Sequence, residues 1–181
     1  SSGLTVSLSG DGKILAIGAY ANDDAGTDSG HVRVYGYSDN TWTKLGDDID
    51  GEAEGDRSGM SVSLSSNGTI LAIGASYNDG TTDDADNNRG HVRVYGYSDN
   101  TWIKLVDDID GEAAEDESGM SVSLSSDGTV VAIGAYKNDG NGSNSGHVRV
   151  YEYSSNAWTQ LGDDIDGEVA GDRSGYSVSL S

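Results

Sequence analysis

An acidic stretch occurs three times: DIDGEAEGD at Asp48–Asp56, DIDGEAAED at Asp108–Asp116 and DIDGEVAGD at Asp164–Asp172. Carboxylates fall at positions 1, 3, 5 and 9 of each copy: Asp48, Asp50, Glu52 and Asp56; Asp108, Asp110, Glu112 and Asp116; Asp164, Asp166, Glu168 and Asp172. Alternate acidic side chains with this spacing converge on one hard cation in calcium loops, so calcium is the cofactor these residues could hold. Glycine stands at position 4 rather than 6, and the longer Glu stands at 5. A second reading is therefore open, in which the stretch is a solvated acidic connector without an ion.

A second chemical pattern is His-x-Arg-x-Tyr-x-Tyr, beginning at His31, His91 and His147. Catalysis needs one asymmetric constellation of groups in different roles, and a stripe repeated three times does not supply it. The stripe reads instead as packing between units, with tyrosine rings as apolar mass and arginine paired to nearby carboxylates. Loops beginning Asn-Asp at Asn22, Asn78 and Asn138 carry unequal numbers of carboxylates; the third has only Asp139. They do not read as a shared metal site. No nucleophile elbow, phosphate loop, zinc-protease helix or dinucleotide fingerprint occurs. Two N-glycosylation sequons start at Asn67 and Asn141, each in an expected turn or loop.

These residues sit in a repeat. The glycines before each Val-Ser-Leu-Ser run, Gly3, Gly59, Gly119 and Gly175, are 56, 60 and 56 residues apart. The repeats are therefore 1–58, 59–118 and 119–174, with 175–181 beginning a further one. The four extra residues of the middle copy fall in Asn78–Gly90, an Asn/Asp/Gly-rich stretch of the kind found in exposed loops.

Each repeat reads as four short strands. Strand a, Leu4–Ser9, alternates apolar Leu4, Val6 and Leu8 with Thr5, Ser7 and Ser9. Strand b, Ile14–Ala19, is apolar on both faces and must be covered on both. Strand c is His31–Tyr37 and strand d Thr41–Leu45, with turns rich in Gly, Asp and Asn between them. No segment has helical periodicity. The expected fold is all-β: tandem four-stranded antiparallel propeller-type blades, three repeats of about 56–60 residues plus one extra strand at Tyr176–Ser181, thirteen strands in all. A single unit cannot cover both faces of strand b, so neighbouring copies must cover each other.

The residues SGMSVSLSSNGTILAIGA (Ser58–Ala75) and SGYSVSLS (Ser174–Ser181) resemble FG-GAP repeats, the blades of integrin-alpha-type β-propellers. GHVRVY and the tryptophan after it are similar to the third and fourth strands of such repeats. The aromatic before the glycine is missing, and the family's proline is replaced by Tyr20, Ser76 and Tyr136. The resemblance implies a long calcium loop between strands a and b, where this chain has only SGDG, SSNG or SSDG. The family's calcium site is therefore not carried over to those positions.

Composition narrows the function. The 181 residues carry 31 acidic against 10 basic side chains, a net charge of −21. That argues against nucleic acid and anionic membrane surfaces as partners, since both bind basic patches. No cysteine is present, so no disulfide framework or thiolate metal site exists. No apolar run reaches the ~20 residues of a membrane helix, so no membrane insertion is expected. Near-identical copies suit a non-catalytic extracellular structural repeat that assembles head to tail into a fibre or surface layer. Its partners would be copies of itself or further blades of a longer chain. The alternative is a cell-surface adhesion propeller binding protein or glycan ligands, calcium-dependent if the acidic stretches hold the ion.

Overall fold

A computed structural model describes residues 5–80 and 87–181. Leu4, the expected start of the first strand, lies outside them. In the first repeat β1 is Thr5–Leu8, β2 Ile14–Ala19, β3 His31–Ser38, β4 Thr41–Lys44 and β5 Ile49–Asp50. The second repeat follows with β6 Ser61–Leu64, β7 Ile70–Ala75, β8 His91–Ser98, β9 Thr101–Lys104 and β10 Ile109–Asp110. The third has β11 Ser121–Leu124, β12 Val130–Ala135, β13 His147–Ser154, β14 Ala157–Gln160 and β15 Ile165–Asp166. No helix occurs among the described residues, and so none is long and apolar enough to cross a membrane.

Each repeat is one antiparallel sheet, ordered β1-β2-β3-β4 in the first, and the four-stranded blade is as expected. Two features differ. The acidic stretch contributes a two-residue strand, so β3 pairs at its far end with β4 and at its near end with β5, through His31↔Asp50 and Val32↔Ile49. The expected thirteenth strand, Tyr176–Ser181, is not a strand. It follows the path of an inner strand, with Leu180 N donating to Ser123 Oγ at 2.9 Å, but a strand needs a ladder partner and none of the described strands pairs with it.

Local chemistry explains the turns. Asp39 and Asn40 both have positive φ, 50° and 61°, in a two-residue turn of the kind that matches the strands' twist. Asp99–Asn100 and Ser155–Asn156 repeat it. Between β1 and β2, Ser9 Oγ donates to Asp11 and accepts from Ile14 N. Asp127, in the same turn of the third repeat, accepts from Thr129 N, Ser125 Oγ and Thr129 Oγ1, which hold its pKa at about 2. These turns close in five residues and leave no length for a calcium loop.

The hydrophobic cores lie between the sheets. One groups Ala16, Val32 and Val34 of the first blade with Leu64, Leu71, Ile73, Tyr95 and Trp102 of the second. The other groups Ala72, Val92 and Val94 of the second with Val122, Leu124, Val131 and Ile133 of the third. The second blade therefore presents Ala72, Val92 and Val94 on one face and Leu71, Ile73, Tyr95 and Trp102 on the other, and each junction mates unlike faces. The hydroxyl side of each inner strand reinforces the contact. Ser7 Oγ accepts from Leu64 N and Ser63 Oγ from Leu124 N, both at 2.9 Å. Thr5, Ser61 and Ser121 donate to the carbonyls of Gly59, Gly119 and Gly175, each at 2.8 Å.

Candidate functional site at the blade junctions

The four acidic positions of one copy go to different places. Position 1 sits below the start of the third strand of its own blade. Asp48 accepts from Arg33 at 2.8 Å and Lys44 at 2.7 Å. These two cations hold its pKa at about 2. Asp108 is bound by Arg93 and Lys104. Burial works against its charge, but Lys104, Arg93 and His91 outweigh it and hold the pKa low. Position 3, Asp50, Asp110 or Asp166, lies in the short strand opposite the histidine.

Position 5 crosses to the next blade. Glu52 pairs with Arg93, and Glu112 lies 3.5 Å from Arg149. Position 9 turns inward. Asp56 and Asp116 are each 3 % exposed and accept from the backbone of Ala53 and Ala113. Asn138 Nδ2 donates to Asp116 at 3.0 Å, which ties the acidic stretch to the Asn-Asp loop of the following repeat. Burial pushes the Asp56 carboxyl up, against the opposing pull of Ala53 N–H and Asn78. Asp172 makes the same loop bonds from Glu168 N and Val169 N, but is exposed. The four positions that suggested one calcium loop thus go to four different places, and the four carboxylates of a copy form no group that could share an ion among the described residues.

What does converge is a set drawn from two copies: Glu52 with His91 and Asp108, and Glu112 with His147 and Asp164. At the first blade, Asp24 of its own loop stands with His31 and Asp48. The histidines are 1–3 % exposed. Burial lowers the pKa of His91, and Asp108 opposes this. These histidines were read as packing residues in the sequence, because only the fold brings a glutamate of one copy over the histidine of the next.

The remaining junction contacts differ between copies. Arg57 stacks on Tyr77 with 4.0 Å to the ring centroid. In the next copy Glu117 replaces that arginine, is 2 % exposed and meets Lys137 at 2.5 Å. Burial and the hydrogen bond with Glu117 raise the Tyr136 pKa to about 12. Lys137→Met should cost about 2–3 kcal/mol in urea unfolding, because it strands a buried carboxylate; solvent at the lysine keeps the loss below that of a fully buried pair. Replacing Glu117 by Leu at the same time should recover most of the loss.

A groove of about 610 Å³ lies against this pair, between Ala113–Asp116 and the loop around Asn138. Its buried polar groups, Asp116 and Asn138, are committed to each other. Asn67 and Asn141, which begin the two sequons, are exposed. Asn67 Oδ1 accepts from Ser65 Oγ, Thr69 N and Thr69 Oγ1 in its turn. Asn141 Nδ2, the atom a glycan would use, donates to Gly167 O at 3.0 Å.

Residues 104–151 match the family model of the FG-GAP repeat. No curated protein matches the chain. Among solved structures, one from a study of two prolyl endopeptidases aligns over 90 % of this chain and 22 % of its own, with 15 % identity and a TM-score of 0.52. A putative 6-phosphogluconolactonase from Bacteroides uniformis aligns over 89 % of this chain and 56 % of its own, at 10 % identity and a TM-score of 0.40. A periplasmic gluconolactonase from Pseudomonas aeruginosa aligns over 92 % and 58 %, at 11 % and 0.41. The chain spans less than two thirds of each of these proteins, and the first likeness is one of fold alone.

Proposed function

We propose that this FG-GAP-type, propeller-like repeat module is a non-catalytic extracellular building block, and that its two end faces dock head to tail on further copies of itself. FG-GAP repeats occur in extracellular proteins, and the repeat itself is not catalytic. One observation carries the assembly reading: equivalent residues are buried inside and bare at the ends. Leu64 and Leu124 are 7 % and 5 % exposed, whereas Leu8 is 55 % exposed. Ile49 and Ile109 are 8 % and 6 % exposed, whereas Ile165 is 59 % exposed. Each such side chain gains roughly 1.5–3 kcal/mol on full burial. The faces also match in charge. Arg93 is covered by Glu52 of the preceding repeat, while the Arg33 side chain is 40 % exposed. Glu168, at the position of Glu52, stands exposed at the opposite end. Seating a second copy as the internal blades are seated would bring Glu168 to Arg33, and would cover Leu8 once β1 of that copy takes the place that residues 176–181 hold against Ser123.

Such a contact is heterologous, joining unlike faces, and it propagates unless the rotation closes. Sedimentation velocity over a wide concentration range tests it. The chain should form a concentration-dependent series of oligomers. Leu8→Glu and Ile165→Glu, both at exposed positions, should each stop assembly, yet their mixture should give heterodimers and nothing larger. A chain that stays monomeric throughout, or variants that assemble as the parent does, would overturn the reading. One closed ring of fixed size would favour the adhesion propeller over the fibre.

A further inference from the structure

The geometry points to a divalent transition-metal site at the junction of the second and third blades, built by His147, Asp164 and Asp166 of the third repeat and Glu112 of the second. This site does not depend on self-assembly, since its residues all belong to one chain.

His147 is 1 % exposed, and neither ring nitrogen has a hydrogen-bond partner. A buried imidazole normally satisfies at least one of them, so this side chain is unexplained by the protein alone. Its Nδ1 faces three carboxylates: Asp164 Oδ2 at 3.5 Å, Glu112 Oε2 at 4.0 Å and Asp166 Oδ1 at 4.0 Å. Donors bound at ~2.1 Å around a tetrahedral ion lie ~3.4 Å apart. The ligand atoms of Glu112, His147 and Asp164 lie within 4.8 Å of one another, so small shifts would close that set, and Asp166 would have to move further to join it as a fourth. Imidazole with carboxylates suits zinc and its first-row neighbours rather than calcium, which takes oxygen alone.

The equivalent groups at the other blades are neutralised by protein cations. Asp48 holds both Arg33 and Lys44. At the junction of the first two blades, Arg93 binds Glu52 and Asp108, and Lys104 binds Asp108 as well. In the third repeat the lysine is replaced by Gln160, whose neutral amide donates to Asp164 Oδ1 at 2.6 Å. Only Arg149 remains, 3.5 Å from Glu112 Oε1. One positive charge has been withdrawn from this cluster alone, and an ion would restore it. It would also clamp the third blade to the second, because Glu112 and His147 come from different repeats.

Isothermal titration of the full chain with zinc chloride, after chelator treatment, should show one site per chain, accompanied by a rise in melting temperature. His147→Gln should abolish that site, while His91→Gln should leave it. Gln160→Lys restores the lysine of the other copies and should weaken binding about 10–100-fold, the range for outer partners of a metal site. Glu112→Gln, at a side chain 47 % exposed, should weaken zinc binding without lowering the melting temperature of the metal-free protein. That variant keeps the test decisive should His147→Gln fail to fold. No zinc binding by the parent chain, or zinc binding that survives both Glu112→Gln and Gln160→Lys unchanged, would overturn the site and assign any zinc uptake to the acidic surface at large.

Discussion

Trp102→Ala should cost about 3–5 kcal/mol of stability, the range for removing a large buried aromatic. Trp42→Ala should cost only about 1 kcal/mol, although both tryptophans end the same sequence, GHVRVYGYSDNTW. The two rings make the same contact within their own blade: Trp42 lies 5.1 Å from Tyr37 and Trp102 4.9 Å from Tyr97. They differ in what the preceding repeat supplies. Trp102 is 9 % exposed, belongs to the core between the first two blades and donates from Nε1 to Leu45 O at 3.0 Å. Trp42 has no described repeat before it and is 43 % exposed. Urea unfolding of the two variants measures the difference directly. Equal losses would mean that each blade is held by its own contacts.

Gly74→Ala should be among the most damaging single methyl additions, with a loss above about 4 kcal/mol or no cooperative transition. A β-carbon at residue 74 would fall inside the envelope of the Gly119 carbonyl oxygen and of Ser61 Oγ. Those atoms fasten the second blade to the third. Ser61 donates to Gly119 O at 2.8 Å, and Gly119 N donates to Gly134 O of the third blade at 3.1 Å. Neither can retreat without opening the junction, since Gly119 itself has a φ of +85° and lies against the His91 carbonyl. Gly134→Ala makes the same intrusion on Gly175 and Ser121, but there it displaces only the terminal segment. It should be the milder change in a thermal melt, and a reversed order would contradict the account.

The blade was legible because its signals are local. The alternation of β1, the doubly apolar run of β2 and the Asp-Asn turn after β3 each follow from neighbouring residues, and the bounds Ile14–Ala19 coincide with the observed strand. The two-residue strands were not read, because the carboxylates of Asp-Ile-Asp mask a period-two pattern whose isoleucine points into the core at Ile49 and Ile109. The terminal segment fails as a strand for the opposite reason: its pattern is right, but pairing is a property of two segments. The candidate site was only half legible. Glu112 and Asp164 were singled out, yet grouped with residues of their own copies rather than with each other. Linear spacing orders ligands along one loop, whereas here the junction selects position 5 of one repeat and position 1 of the next. The loss of Lys104's counterpart at Gln160 was visible in the sequence, but it acquires meaning only once both are seen to face position 1.

These repeats are stabilised between blades rather than within them, since both hydrophobic cores lie at the junctions. Native-state hydrogen exchange on the intact chain tests this most directly, by comparing amides of β2, β7 and β12, which have nearly the same sequence and the same ladder bonds. Exchange should be slow in β7 and β12, which are buried alike, faster in β2, and fastest among the inner strands in β1. Equal protection in β2, β7 and β12 would show that each sheet carries its own stability, and would contradict stabilisation between blades.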